Sequence, residues 1–199
     1  MKNPQSLQDS QSAQSTQKTQ KAQKAKTQVV IYTDGGATPN PGLGGWAAVL
    51  ISPEHGGFQR ELYGSEPDTT NNRMELTAAI MALRALKYPC AVDLHTDSTY
   101  MKNAFTRGWL EKWQNNGWIT SNKDPVLNKD LWEELFDLSL KHDIDWHWVK
   151  GHTSNAYNNL CDALVQKAKD EHQKTGKAER RKERATENNS SSDHSPAPA

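Results

Sequence analysis

The run from Thr69 to Leu86, TTNNRMELTAAIMALRAL, constrains the fold more than any other segment of the chain. It reads as a polar helix start followed by a long apolar stretch, and it ends just before Pro89, which cannot continue a helix. At about 100° per residue, Arg73, Thr77, Arg84 and Lys87 share one wet arc, and Ala78, Ala79, Ala82 and Leu86 lie on the face that must be covered. Glu75 falls on that covered face. A buried carboxylate protonates or finds a partner. Taken alone, Glu75 reads as a satisfied salt bridge or as an acid favoured in the first helical turn.

The flanking segments supply the cover. Val29 to Asp34 is β-rich and is closed by Gly35-Gly36 and the loop Pro39-Asn40-Pro41-Gly42. Gly44 to Ser52 and Phe58 to Gly64 complete a three-strand meander. After the helix, Ala91 to Thr96 reads as a fourth strand ending at Asp97. The span 98–140 is helical in pieces, broken at Gly108, Gly117 and Asp124-Pro125, with Asp130 to Leu138 the firmest piece. Ile144 to Val149 alternates as a fifth strand, and a polar loop, 150–159, leads to a last helix starting near Leu160. Three strands, a helix, a strand, helices, a strand and a helix make a mixed α/β domain.

Composition sets the limits of that domain. Residues 1–28 are dominated by Gln, Ser, Thr and Lys with almost no aliphatic side chain, too little to offset the entropy of ordering, and read as a disordered tail. Residues 173–199 turn charged and then Ser/Pro/Ala-rich, and read as a second disordered tail. One domain over 29–172 remains, of ordinary size for a single core. The whole chain is formally neutral, but 29–170 holds 13 Lys/Arg against 18 Asp/Glu, while 1–28 holds 5 against 1. Bulk charge thus gives little support to a nucleic-acid partner, although a basic tail adds non-specific phosphate attraction. Cys90 and Cys161 form no Cys-x-x-Cys pair and read as free thiols. The first residues lack the apolar core of a secretory signal and no apolar run reaches transmembrane length. The expectation is a cytoplasmic monomer with no membrane contact and no protein partner.

Asp34 and Asp97 each stand where a predicted strand ends, the edge at which open α/β sheets tend to place ligands. Asp162 lies near the start of the last helix. Each could be a turn or helix-capping aspartate. Were these three to meet Glu75, their repulsion would call for a hard cation, and oxygen-only ligation suits Mg²⁺ or Mn²⁺ rather than zinc. Two such ions can activate water and stabilise the leaving oxygen of a phosphodiester, which makes phosphoryl hydrolysis the natural chemistry.

The ordered set Tyr32-Thr33-Asp34-Gly35-Gly36, Asn40-Pro41-Gly42, Thr70-Asn71-Asn72-Arg73-Met74-Glu75-Leu76, His95-Thr96-Asp97-Ser98, Trp148-Val149-Lys150-Gly151-His152 and Cys161-Asp162-x-Leu164-Val165 resembles bacterial type 1 ribonuclease H over roughly residues 28–170. The resemblance implies a ribonuclease H-like fold, a five-stranded mixed sheet flanked by helices. It further implies a site of Asp34, Glu75, Asp97 and Asp162 holding two Mg²⁺ ions, with Mn²⁺ a substitute. The implied reaction is endonucleolytic cleavage of the RNA strand of an RNA–DNA hybrid, leaving 5′-phosphate and 3′-hydroxyl ends. His152 would assist proton movement and product departure. Asn40, Asn71 and Asn72 would read the minor groove, where 2′-hydroxyls distinguish RNA from DNA, and the Gly35 backbone would lie near the RNA strand. Thr70 corresponds to a DNA-phosphate contact, and Trp109, with Trp113 beside it, to aromatics along the DNA strand.

The chain departs from this pattern in places. Thr99 is shorter than the Gln or Lys the family often carries there, and Trp113 to Gly117 has no charge where the family is often basic. Weaker or redistributed hybrid binding is expected, with basic residues of the first 26 supplying part of the phosphate attraction. A junction resolvase or transposase shares acidic clusters on this superfold, but the Thr70 to Leu76 and Val149 to His152 motifs favour ribonuclease H.

Overall fold

A computed structural model describes residues 26–150 and 155–191. Strands β1 (Thr27–Thr38), β2 (Gly42–Ser52) and β3 (Phe58–Thr69) form an antiparallel meander, with a 3-10 turn at Pro53–His55. Helix α1 (Asn71–Arg84) crosses to β4 (Cys90–Thr96), which pairs parallel to β1, and β5 (Asp143–Trp148) pairs parallel to β4. Helices α2 (Thr99–Thr106), α3 (Trp109–Asn115) and α4 (Lys129–Ser139) link the last two strands, and α5 (Ala156–Ser191) closes the described chain. The sheet order is β3-β2-β1-β4-β5. This is the mixed five-stranded sheet with flanking helices that the sequence implies.

Strand alternation sorts the two faces. On one face Val29, Ile31, Val92 and Leu94 pack with Leu76, Ile80 and Leu83 of α1 and with Trp132 and Leu135 of α4. On the other, Ala47 and Val49 of β2 meet Cys161, Leu164 and Val165 of α5. Burying a side chain such as Ile31 or Leu83 contributes about 1.5–3 kcal/mol. Arg73 of α1, read as lying on the wet arc, reaches Asp130 of α4 at 2.9 Å and so ties the two helices together.

Several boundaries differ from the sequence expectation. First, β1 does not close at Asp34: Asp34, Gly35 and Gly36 stay in register with Ala47, Trp46 and Gly45. The glycines serve close approach rather than a turn, since a Cβ on Gly35 would stand 2.3 Å from the Met74 carbonyl carbon. Second, β1 begins at Thr27, inside the segment assigned to the first tail, and Lys26 pairs with Asp143 at 2.7 Å. Third, α5 starts at Ala156 rather than near Leu160, because the Asn155 side chain accepts the N–H groups of Tyr157 and Asn158, each at 3.1 Å. It also runs to Ser191, so the segment expected to be disordered from 173 is helical that far. The rest of both tail assignments, residues 1–25 and 192–199, lies outside the described residues. No described helix is long and apolar enough to cross a membrane.

Candidate active site

The site is assembled where α1 starts. Thr70 caps this helix: its hydroxyl accepts the Arg73 N–H at 3.4 Å. Asn71 is drawn toward the β1–β2 hairpin instead. Its Oδ1 accepts the Ala37 N–H at 2.7 Å, and its own N–H donates to Asn40 Oδ1 at 3.2 Å. These bonds use the amide oxygens and leave both side-chain NH₂ groups as the donors to be presented. Gly35 then allows β1 to lie directly on the Met74 and Glu75 backbone. Asp34 and Glu75 are brought to the same place by the absence of one methyl group.

Glu75 is half-buried, one turn into α1, and Ser98 donates a hydrogen bond to its Oε2. Ser98 is 1% exposed and also caps α2 by accepting the Met101 N–H at 3.1 Å. Burial raises the Glu75 carboxyl to a pKa of about 7, with Asp97 and Asp34 pushing the same way and the Ser98 hydrogen bond opposing them. Asp97 directly follows β4, as expected, and its carbonyl accepts the Trp148 indole N–H at 3.1 Å. Asp34 Oδ1 accepts the N–H of Gly35 at 2.7 Å. Asp162 projects from the second turn of α5, next to Cys161, whose buried thiol is pushed up to about 12 and donates to the Tyr32 carbonyl at 3.4 Å.

Asp34, Glu75, Asp97 and Asp162 line one open cleft of about 280 Å³, together with Gly35 to Thr38, Asn71, Asn158, Val165 and Lys169. The four come from four separate elements, so only the fold unites them. Among the described residues, no three carboxylate, imidazole or thiol groups yet converge as a ligand set. The donors nonetheless fit a hard divalent cation, being all oxygen, close enough to raise Glu75, and open to solvent on one side.

Among the remaining expected site residues, Gly35 and Asn71 line the cleft, Asn40 borders it through its bond to the Asn71 N–H, and Thr70 precedes Asn71 as the cap of α1. Asn72 is exposed beside Asn71. Trp109 and Trp113 do not line the cleft. They belong to an aromatic cluster against the core, with Trp113 ring centroids 5.7 Å from Trp132 and 6.5 Å from Trp118. His152 lies outside the described residues. Sequence reasoning missed Ser98, Asn158 and Lys169. The signal for Asn158 and Lys169 was their helical spacing from Asp162, four before and seven after. Asn158 is 3% exposed and its Oδ1 has no partner among the described residues, so the cleft holds a buried acceptor awaiting a donor.

Residues 26–170 match the family model described as RNase H. The chain is 58% identical over 137 residues to the Ribonuclease H of Caldanaerobacter subterraneus subsp. tengcongensis, covering 69% of this chain and 88% of the relative. It is 55% identical over 141 residues to the Ribonuclease H of Moorella thermoacetica, covering 71% and 91%. Among solved structures it is similar to a type 1 RNase H with the type 2 active-site motif, at 30% identity and a TM-score of 0.64 over 72% of each chain. It is also similar to an RNase H crystallised with an RNA/DNA hybrid, at 25% identity and a TM-score of 0.56 over 72% of this chain and 98% of that one.

Proposed function

The chain belongs to the ribonuclease H family, and on that premise we propose that it hydrolyses the RNA strand of RNA–DNA hybrids endonucleolytically, with Asp34, Glu75, Asp97 and Asp162 as its catalytic carboxylates. The observation that carries this reading is the meeting of those four acids in one cleft beside the Asn71 amide. The hybrid bound by a structural relative supports the substrate class.

Two Mg²⁺ ions, or Mn²⁺ in their place, would be held by the four carboxylates and would supply water activation and stabilisation of the departing oxygen. The chain's own part is placement. Ser98 holds one oxygen of Glu75 and opposes the rise in its pKa, which keeps that carboxylate available for a cation near neutral pH. Trp148 holds the Asp97 backbone through its indole N–H. Asn40 and Asn71, locked to each other and to Ala37, offer NH₂ donors to 2′-hydroxyls that a DNA strand lacks. Thr70 and Trp109, with Trp113 behind it, are the proposed contacts to the DNA strand. His152 is the proposed proton carrier that helps the product leave, and the product ends are a 5′-phosphate and a 3′-hydroxyl.

The test is a panel of end-labelled duplexes of one sequence, as hybrid, RNA and DNA, incubated with Mg²⁺ or with chelator. Mg²⁺-dependent cutting of RNA in the hybrid alone is the expected result. Binding of the hybrid without cutting would make the protein a recognition module and overturn the proposal.

A further inference from the structure

Lys169 is the one cationic side chain among the described residues that line the carboxylate cleft. It stands on α5 seven residues after Asp162, with Val165 between them on the same helix face. Gly45 of β2 lets that face approach closely: a Cβ there would stand 2.5 Å from the Val165 carbonyl oxygen and 3.2 Å from Lys169 Cγ. The lysine stem thus lies along bare strand backbone, which sets the direction of its ammonium. Nζ comes 3.5 Å from Thr38 Oγ1, at the limit of a hydrogen bond. Ion pairs engage Lys26 and Lys129 elsewhere, whereas none among the described residues engages Lys169. An ammonium that lines the same cleft as four carboxylates, with no ion pair to any of them among the described residues, is placed for an anion that arrives from outside.

That anion is defined by the setting. The domain is acidic and its cleft more so, so a polyanionic strand entering it is repelled except where a cation meets it. We propose that Lys169 donates a charge-assisted hydrogen bond to a non-bridging oxygen of a backbone phosphate of the RNA strand, beside the scissile one. It thereby sets the path of that strand between α5 and the β1–β2 hairpin. This inference rests on the function proposed above and adds a strand-positioning contact to it. Lys169 acts on substrate binding, while the carboxylates act on the reacting phosphate.

Two variants of the full chain test it. Lys169→Met keeps an unbranched stem on Gly45 without the charge, and Lys169→Arg keeps the charge. Cleavage kinetics in Mg²⁺ and hybrid binding in chelator are measured between about 50 and 200 mM KCl. Lys169→Met is expected to raise KM roughly ten-fold, with kcat changed less than about two-fold. Its binding should show a salt slope shallower by about 0.8. Lys169→Arg should remain close to the unaltered protein. A Lys169→Met protein with unaltered KM and slope overturns the contact while leaving the function standing. Equal losses in both variants with a lowered Tm also overturn it, because the stem and not the charge would then matter. An unaltered protein that neither binds nor cuts the hybrid overturns both readings.

Discussion

Substituting Glu75 by glutamine should make the metal-free protein more stable while removing its activity. In the folded chain the Glu75 carboxyl titrates near 7 instead of 4.5. Between those values the native state holds more protons than the unfolded one, so stability falls as pH rises through the window. Above pH 7 the accumulated loss is about 3 kcal/mol, from 1.36 kcal/mol for each pH unit of displacement. Glutamine keeps the shape and still accepts the Ser98 hydroxyl, but it carries no charge to be desolvated or repelled by Asp97 and Asp34. In chelator at pH 8.5 the variant should therefore melt roughly 5–10 °C above the unaltered protein. The gap should be nearly closed at pH 4.5, where the folded Glu75 is protonated and the unfolded one half so, and absent by about pH 3.5. Added Mg²⁺ should raise the melting temperature of the unaltered protein and leave that of the variant nearly unchanged. Thermal scans over pH, with and without chelator, are sufficient. A variant no more stable than the parent at pH 8.5, or a gap that does not depend on pH, would refute the electrostatic account of this position.

Further outcomes follow from the contacts around Glu75. Gly35→Ala should destabilise the fold by about 3 kcal/mol or more and abolish cutting, because the new methyl meets Met74 backbone at 2.3 Å. Gly36→Ala should be nearly silent in a denaturant titration that resolves the Gly35→Ala loss, its Cβ meeting only Asn71 Oδ1 at 3.8 Å. Ser98→Ala removes the donor that favours ionised Glu75 and should displace the acid limb of the pH–rate profile upward. It should also cost about 1 kcal/mol for the lost α2 cap. An unmoved pH profile in that variant would mean that Ser98 is a helix cap only.

The order of elements was legible because the residues that specify each one are local. Apolar periodicity marks α1, although it ends at Arg84 and not just before Pro89, and alternation marks β4 and β5. Asp97 was read correctly at a strand end, since a β-rich run and its following Asp97-Ser98 cap lie side by side in the chain. Asp34 was not: Gly35-Gly36 has the composition of a turn, and only the α1 backbone packed against it reveals that these glycines extend β1. The start of α5 was misjudged because Asn155 is a cap hidden within a polar loop. The Ser98 bond to Glu75 spans two elements, as does the seat of Lys169 on Gly45, and such contacts leave no pattern in the sequence. The misplaced look of Glu75, by contrast, was visible from helical spacing alone.

The central claim is that four carboxylates from four elements act as one hydrolytic site. It is tested most directly by single-turnover cleavage of an RNA–DNA hybrid in Mg²⁺ by Asp34→Asn, Glu75→Gln, Asp97→Asn, Asp162→Asn and the Asp34→Asn/Asp97→Asn pair. Residues that act as a unit fail together, so each single variant should lose on the order of 10³-fold or more in rate, and the pair should be little worse than either single change. Circular dichroism should show the fold intact in all five. Cleavage at the unaltered rate by a folded variant of any of the four would contradict the site.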